Sequence, residues 1–439
     1  MIELIAIFLQ IFVFLIILSF PFNPKSLNKL FSTKLDSFNY IDCHAINIII
    51  FINILLVTSF FKIQLTHIFL VLFSISIIFL IIRKKEYLLM INKKNLNKFI
   101  FFFIITISLF VSTSYAPRLE WDGFAWITKT LVFFNNEPIQ NLRYTVFPEY
   151  PHLASYIWAF FWKNSLLEYE YFGRFFHIYI YIVSMFTIFN ITNFKSKNMI
   201  YLLIFSLILI TYDQFLFGGY QTYLLFSILL IASRFIITVN FNNNIEYNKI
   251  YFILFILSSV VWIKDEGMFY FLIFGSLLIF LQKCTLREKI IPIFTIFLVI
   301  YIQYYLQKNV VGIYGFVIEP FSQGFINQIL DFKFVFTKTL AITKHIIIAS
   351  FKYPLWILIF FSFMWARIFN KETDSRIKYF FYALVLNILL IYSVYLHDTN
   401  PDPIVLSVTL DRVMFQTSGF YFLIFILMLN KNENNYLKF

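Results

Sequence analysis

Long apolar runs, each broken by a short polar cluster, fill most of this chain. In windows of about 19 residues, the pattern predicts membrane-spanning helices near 3–20, 41–60, 66–82, 99–116, 172–192, 199–217, 220–238, 250–263, 268–282, 290–306, 353–369, 379–396 and 413–430. The runs are continuous and do not alternate in polarity, which excludes the roughly ten-residue strands of a membrane barrel. One stretch refuses the pattern. Residues 117–174 gather acids, His, Trp, Tyr and Pro, and no run of about 20 apolar residues fits inside them. The expectation is an all-α integral membrane protein, a single bundle of about 13 helices over residues 1–439 with an outer-face loop carrying amphipathic helices.

Composition sharpens this picture. Only 13% of the 439 residues are charged and 60% are hydrophobic, where a soluble domain carries about a quarter charged residues. The net charge of +12 follows the membrane and does not call for nucleic acid. Basic clusters such as Arg83/Lys84/Lys85, Lys195/Lys197 and Arg376/Lys378 sit after alternate spans. Assigning them to the cytoplasm puts 22 of the 35 Lys and Arg inside and 13 outside, as the positive-inside bias requires. Residues 117–174 then face outward, as do 307–352 and 397–412 and the junction at Lys264. The first residues lack a basic region and a cleavage site, so a retained first helix is expected. No soluble C-terminal domain is expected after the last span. Cys43 and Cys284 fall at cytoplasmic membrane edges and read as free thiols.

Candidate chemistry collects on the outer face. Within 121–134, Asp122, Trp126 and Lys129 are spaced i, i+4, i+7 and share one helix face. The segment reads as an interfacial helix with Trp121 and Trp126 at headgroup depth. Its Asp is either a helix cap or a reacting carboxylate held beside a cation. Pro151 suits a helix start, and Glu149 and His152 beside it serve either as ligands for a metal or acceptor, or as a turn signature. Lys264, Asp265 and Glu266 leave almost no loop between two apolar runs, which favours a cavity-facing site over a solvated turn. Arg412 either holds a phosphate or snorkels to headgroups. No P-loop, metalloprotease motif or serine elbow is present.

Taken together these residues resemble the GT-C superfamily of polytopic glycosyltransferases, to which protein mannosyltransferases and the aminoarabinose transferases of lipid A belong. The resemblance rests on Trp121, Asp122, Trp126 and Lys129, then Tyr150, Pro151 and Leu153, then Lys264, Glu266 and Gly267, and finally Leu410, Asp411 and Arg412. It covers about 117–412. What it implies is an inverting transfer of a sugar from a polyprenyl-phosphate donor to a glycan or lipid acceptor at the outer leaflet of the plasma or inner membrane. Asp122 matches the general base, and Lys129, Lys264 and Arg412 the phosphate grip. Trp126, Glu149, His152 and Glu266 complete the expected substrate site. Some members use a divalent metal, Mg or Mn; no ligand set for one stands out here. The rival readings are a glycan polymerase or ligase and a non-enzymatic transporter of lipid-linked sugars.

Overall fold

A computed structural model describes residues 2–18, 38, 40–82, 84, 104, 121–167, 169–189, 220–241, 246–313, 330–352, 375–397 and 403–436. The architecture is helical, with no strand among the described residues. A chain of this apolarity has little choice, because a spanning segment must satisfy its backbone polar groups internally and a helix does so within one segment.

Seven helices among the described residues are long and apolar enough to cross a membrane: Tyr40–Ser59, Leu65–Ile82, Tyr171–Ile188, Leu286–Val311, Phe332–Phe351, Ser375–Leu396 and Leu410–Leu427. Six match expected spans. The expected 220–238, 250–263 and 268–282 form shorter helices, and 3–20 forms Ile2–Ile17. The spans expected at 99–116, 199–217 and 353–369 lie outside the described residues, apart from residue 104. Phe332–Lys352 is a difference, since it falls inside the expected outer loop 307–352. Its outward face shows Phe332, Phe336, Leu340, Ile347 and Phe351. Its other side is tethered by Lys338 Nζ to the Tyr395 carbonyl (3.3 Å) and by Thr343 to the Tyr392 hydroxyl (2.7 Å). Four lysines spread over 21 residues masked this apolar stripe in the sequence.

The chain divides into two compact units. The first comprises Met1–Thr187, Gln214–Ile231 and Gln303–Tyr314. Here α1 (Ile2–Ile17) packs on α3 (Leu65–Ile82), and α2 (Tyr40–Ser59) and α3 both pack on α5 (Leu153–Lys163), which also carries α4 (Trp121–Phe134). The 11-residue α5 is too short to span, yet Leu153 through Phe161 are all buried. A helix apolar all round belongs in a core. Helix α6 (Tyr171–Phe189) closes on it where Gly173 meets Trp158: a Cβ there would lie 2.2 Å from the indole Cδ1.

The second unit comprises Ile188–Asp213, Ala232–Ile302 and Gly315–Phe439. Its helix Tyr247–Ser258 ends in a 3-10 turn, Ser259–Trp262, and helix Asp265–Phe280 begins two residues later. That second helix packs on Ser375–His397, which in turn packs on the long Pro403–Tyr436. Cys43 and Cys284 are both free thiols.

Candidate functional site

In the first unit, α4 reverses the expected surface role of its polar face. The backbone of 121–134 is helical as expected, and Trp126 is buried within the protein. Phe124 is 62% exposed on the opposite side. The reason is α5: its apolar surface demands a partner, and the Trp126 side of α4 supplies one. Lys129 goes in with it and is 1% exposed. A buried ammonium needs compensation. Its Nζ donates to the Tyr150 carbonyl at 2.8 Å and lies 5.2 Å from the Trp126 ring centroid and 5.8 Å from that of Tyr150, within cation–π range. The side chains of Trp121 and Asp122 lie outside the described residues; the helical backbone keeps Asp122 in register with Trp126 and Lys129.

The segment before α5 is pinned from two sides. Gln307 lies in a π turn, Gln307–Val311; its Nε2 donates to the Glu149 carbonyl and its Oε1 accepts from Gln303 at 2.6 Å. Glu149 is half-buried. Helix α5 starts at Leu153, two residues beyond Pro151, with His152 at the cap position. His152 is buried and packs edge-on against Phe60. Ser59 gives its one hydroxyl proton to the Leu56 carbonyl at 2.7 Å, which leaves His152 Nε2 as donor in the 2.8 Å bond to Ser59 Oγ. Burial, reinforced by the Lys129 charge, holds the imidazole down to about 3. It stays neutral throughout the working pH range.

Behind Trp126 the core continues through Trp158 and Tyr220, with Tyr150 and Trp162 packed against it. On its far side is an ion pair that sequence reasoning missed. Arg174 meets Glu170 at 2.8 Å and donates to the Tyr220 hydroxyl at 3.2 Å. Burial pushes the Glu170 carboxyl up, while Arg174 and the facing Trp158 N–H oppose it. The signal was present: Glu170, Arg174 and His177 are spaced i, i+4, i+7.

In the second unit, Lys264 takes an extended conformation (φ −151°, ψ 161°) between the 3-10 turn and the next helix. It is 5% exposed and pairs with Glu266 at 3.3 Å. Two acids open that helix, where the macrodipole favours negative charge. One turn on, Tyr270 donates to Gln416 Oε1 at 2.8 Å, with the Val413 carbonyl at 3.5 Å. Arg412 immediately precedes Val413, so Tyr270 ties the Lys264–Gly267 junction to the Leu410–Arg412 segment. Arg412 is half-buried and stands ten residues into the helix Pro403–Tyr436, not in the expected loop 397–412. Pro403, pre-set for a first helical turn, starts the helix before the segment that the sequence reads as loop.

Trp126, Lys129, Glu149 and His152 thus belong to the first unit, and Lys264, Glu266 and Arg412 to the second. Among the described residues no three His, Cys, Asp or Glu side chains converge to hold a metal ion. No protein-family model matches the chain, and neither the curated proteins nor the solved structures compared with it give a match.

Proposed function

We propose that the chain is an inverting glycosyltransferase of GT-C type that uses a polyprenyl-phosphate sugar at the outer face of the membrane. The observation that carries the reading is the buried Lys129 on α4. An ammonium withdrawn from water, held by a carbonyl and an aromatic face on the helix that bears Asp122, suits an anionic leaving group. In the reaction, Asp122 takes the proton of the acceptor hydroxyl as its oxygen attacks the anomeric carbon. The bond from that carbon to the phosphate oxygen breaks, and polyprenyl phosphate departs with its electrons. Phosphate is already a good leaving group, so proton removal and charge stabilisation are the main demands. Lys129 supplies the positive charge, and the lipid tail lies between helices.

One observation favours a carrier instead. Tyr270–Gln416 and Asn387–Thr417 place polar pairs within helices of the second unit. Those pairs are bonded to each other, however, and serve as interhelix tethers. The deciding experiment is an in vitro transfer assay of wild type against Asp122→Asn. General-base loss should lower transfer by about 10²-fold or more; transfer undiminished in the variant removes Asp122 as base.

A further inference from the structure

One loop tip of the first unit turns its apolar side chains outward. It follows the 3-10 turn Ile139–Tyr144, whose Ile139 and Leu142 are buried. Tyr144 is 73% exposed, Val146 47% and Phe147 52%. The Arg143 Cζ lies 4.6 Å from the Tyr144 ring centroid, so the tip is basic as well as aromatic. Phe147 is held out against its own backbone preference. Its φ of 52° is in the left-handed region, which a bulky residue seldom enters, and Pro148 biases it further toward extended backbone. Its ring meets the Tyr150 ring edge-on, with 6.1 Å between centroids. Strain of this kind persists where the surrounding structure enforces it, and it clusters at sites that bind.

The height of the tip is fixed by its neighbour. The Ile139–Tyr144 turn packs against the π turn Gln307–Val311, and Gln140 Nε2 donates to the Val310 carbonyl at 3.1 Å. Val310 is at the end of the Leu286–Val311 helix, which is long and apolar enough to cross a membrane. In the last turns of that helix Tyr305 is 51% exposed, and Lys308 Nζ lies 5.8 Å from the Tyr304 ring centroid. Tyrosine followed by lysine marks where a span leaves the hydrocarbon. Val310 is five residues beyond Tyr305, about 7 Å along a helix axis. A headgroup layer is about 5–7 Å thick, so the tip stands at headgroup height. Residues 140–150 and 304–310 all belong to the first unit.

We propose that Arg143–Phe147 is a membrane-docking tip. Tyr144, Val146 and Phe147 enter the headgroup layer, where aromatic side chains are favoured. Arg143 and Lys308 bind the phosphates of anionic lipids. The tip thereby ties to the bilayer the segment whose Tyr150 carbonyl holds Lys129.

The test reads depth in the bilayer. The full chain, with Cys43 and Cys284 replaced by Ala, carries one spin label at Val146→Cys or, as reference, at Glu137→Cys, an exposed acid before the same turn. Each protein is placed in nanodiscs of phosphatidylcholine with or without phosphatidylglycerol. Collisions with oxygen, which dissolves in lipid, are compared with collisions with a water-soluble nickel chelate. The ratio should be several-fold higher at 146 than at 137, and phosphatidylglycerol should raise it. Phe147→Gly suits the left-handed backbone, so it should melt close to wild type in detergent. It should nevertheless bring the ratio at 146 down toward that at 137. Arg143→Gln combined with Lys308→Gln should remove the response to phosphatidylglycerol. Equal ratios at 146 and 137 overturn the tip and leave a soluble partner for the exposed rings. A ratio at 146 that ignores Phe147→Gly overturns it too, as does one that ignores phosphatidylglycerol in the protein with both cations.

Discussion

Replacing Gly267 by Ala tests how the Lys264 junction is held. Helix propensity alone predicts a gain of about 1 kcal/mol, since Ala is the better helix former. The structure predicts the opposite sign. A Cβ at 267 would lie 1.9 Å from the Val260 carbonyl oxygen and 2.7 Å from its carbon. Ordinary contact begins at 3.4 Å, so the 3-10 turn and the helix must part by about 1.5 Å. The obstacle is backbone, and no rotamer change relieves it. Val260, Val261 and Trp262 are themselves buried, so the turn has nowhere to move without opening the core. Overpacking of this kind costs about 3 kcal/mol, leaving a net loss of about 2 kcal/mol once propensity is credited. A shift of that size displaces the Lys264–Glu266 pair by more than the roughly 1 Å that costs about 10²-fold in a positioned site. Gly275→Ala is the control, because its Cβ would meet the Ile296 Cδ1 at 2.9 Å and the Leu254 Cδ2 at 3.0 Å, the mobile ends of two side chains. Thermal unfolding in detergent, followed by size-exclusion fluorescence, should show Gly267→Ala well below wild type and Gly275→Ala close to it. A Gly267→Ala protein as stable as wild type would refute the close approach and, with it, the rigid junction.

Two further outcomes are expected. Lys129→Met keeps the stem packed on Trp126 while removing the charge; transfer should fall by about 10²-fold or more, and the protein should still fold, as judged by a monodisperse elution profile. Transfer at the wild-type rate would remove Lys129 from the phosphate grip. For His152, the folded imidazole is held at about 3 against an ordinary 6.5, so below pH 6.5 the unfolded chain binds a proton that the folded chain refuses. Stability therefore rises with pH across that window, and at pH 5 the His152 contribution amounts to a loss of about 2 kcal/mol. Melting of wild type and His152→Asn at pH 5 and pH 7.5 measures the difference; equal pH sensitivity in the two proteins counts against a buried neutral His152.

The positive-inside count assumed that 307–352 lies outside. Phe332–Phe351 is long and apolar enough to cross. Crossing would reverse the sides of all that follows and put the basic cluster at 367–378 outside, against the bias. A helix lying in the interface preserves the sequence topology. Labelling of single cysteines at 331 and 376 from either side separates the two: opposite faces mean an even number of crossings has not occurred between them.

Apolar runs dictate helices by themselves, because in lipid each run must close its own backbone hydrogen bonds. The helical phase of Asp122, Trp126 and Lys129 and the tight turn at Lys264 were legible for the same reason, since both depend on neighbours along the chain. The inward turn of Trp126 and Lys129 was not. A hydropathy pattern assigns polar side chains to water or headgroups, whereas α5 offers a better partner from 24 or more residues away. The Glu170–Arg174–Tyr220 network likewise needs α6 and the Tyr220 helix side by side. Local propensity knows nothing of such pairings; only packing decides which polar groups are taken out of water together.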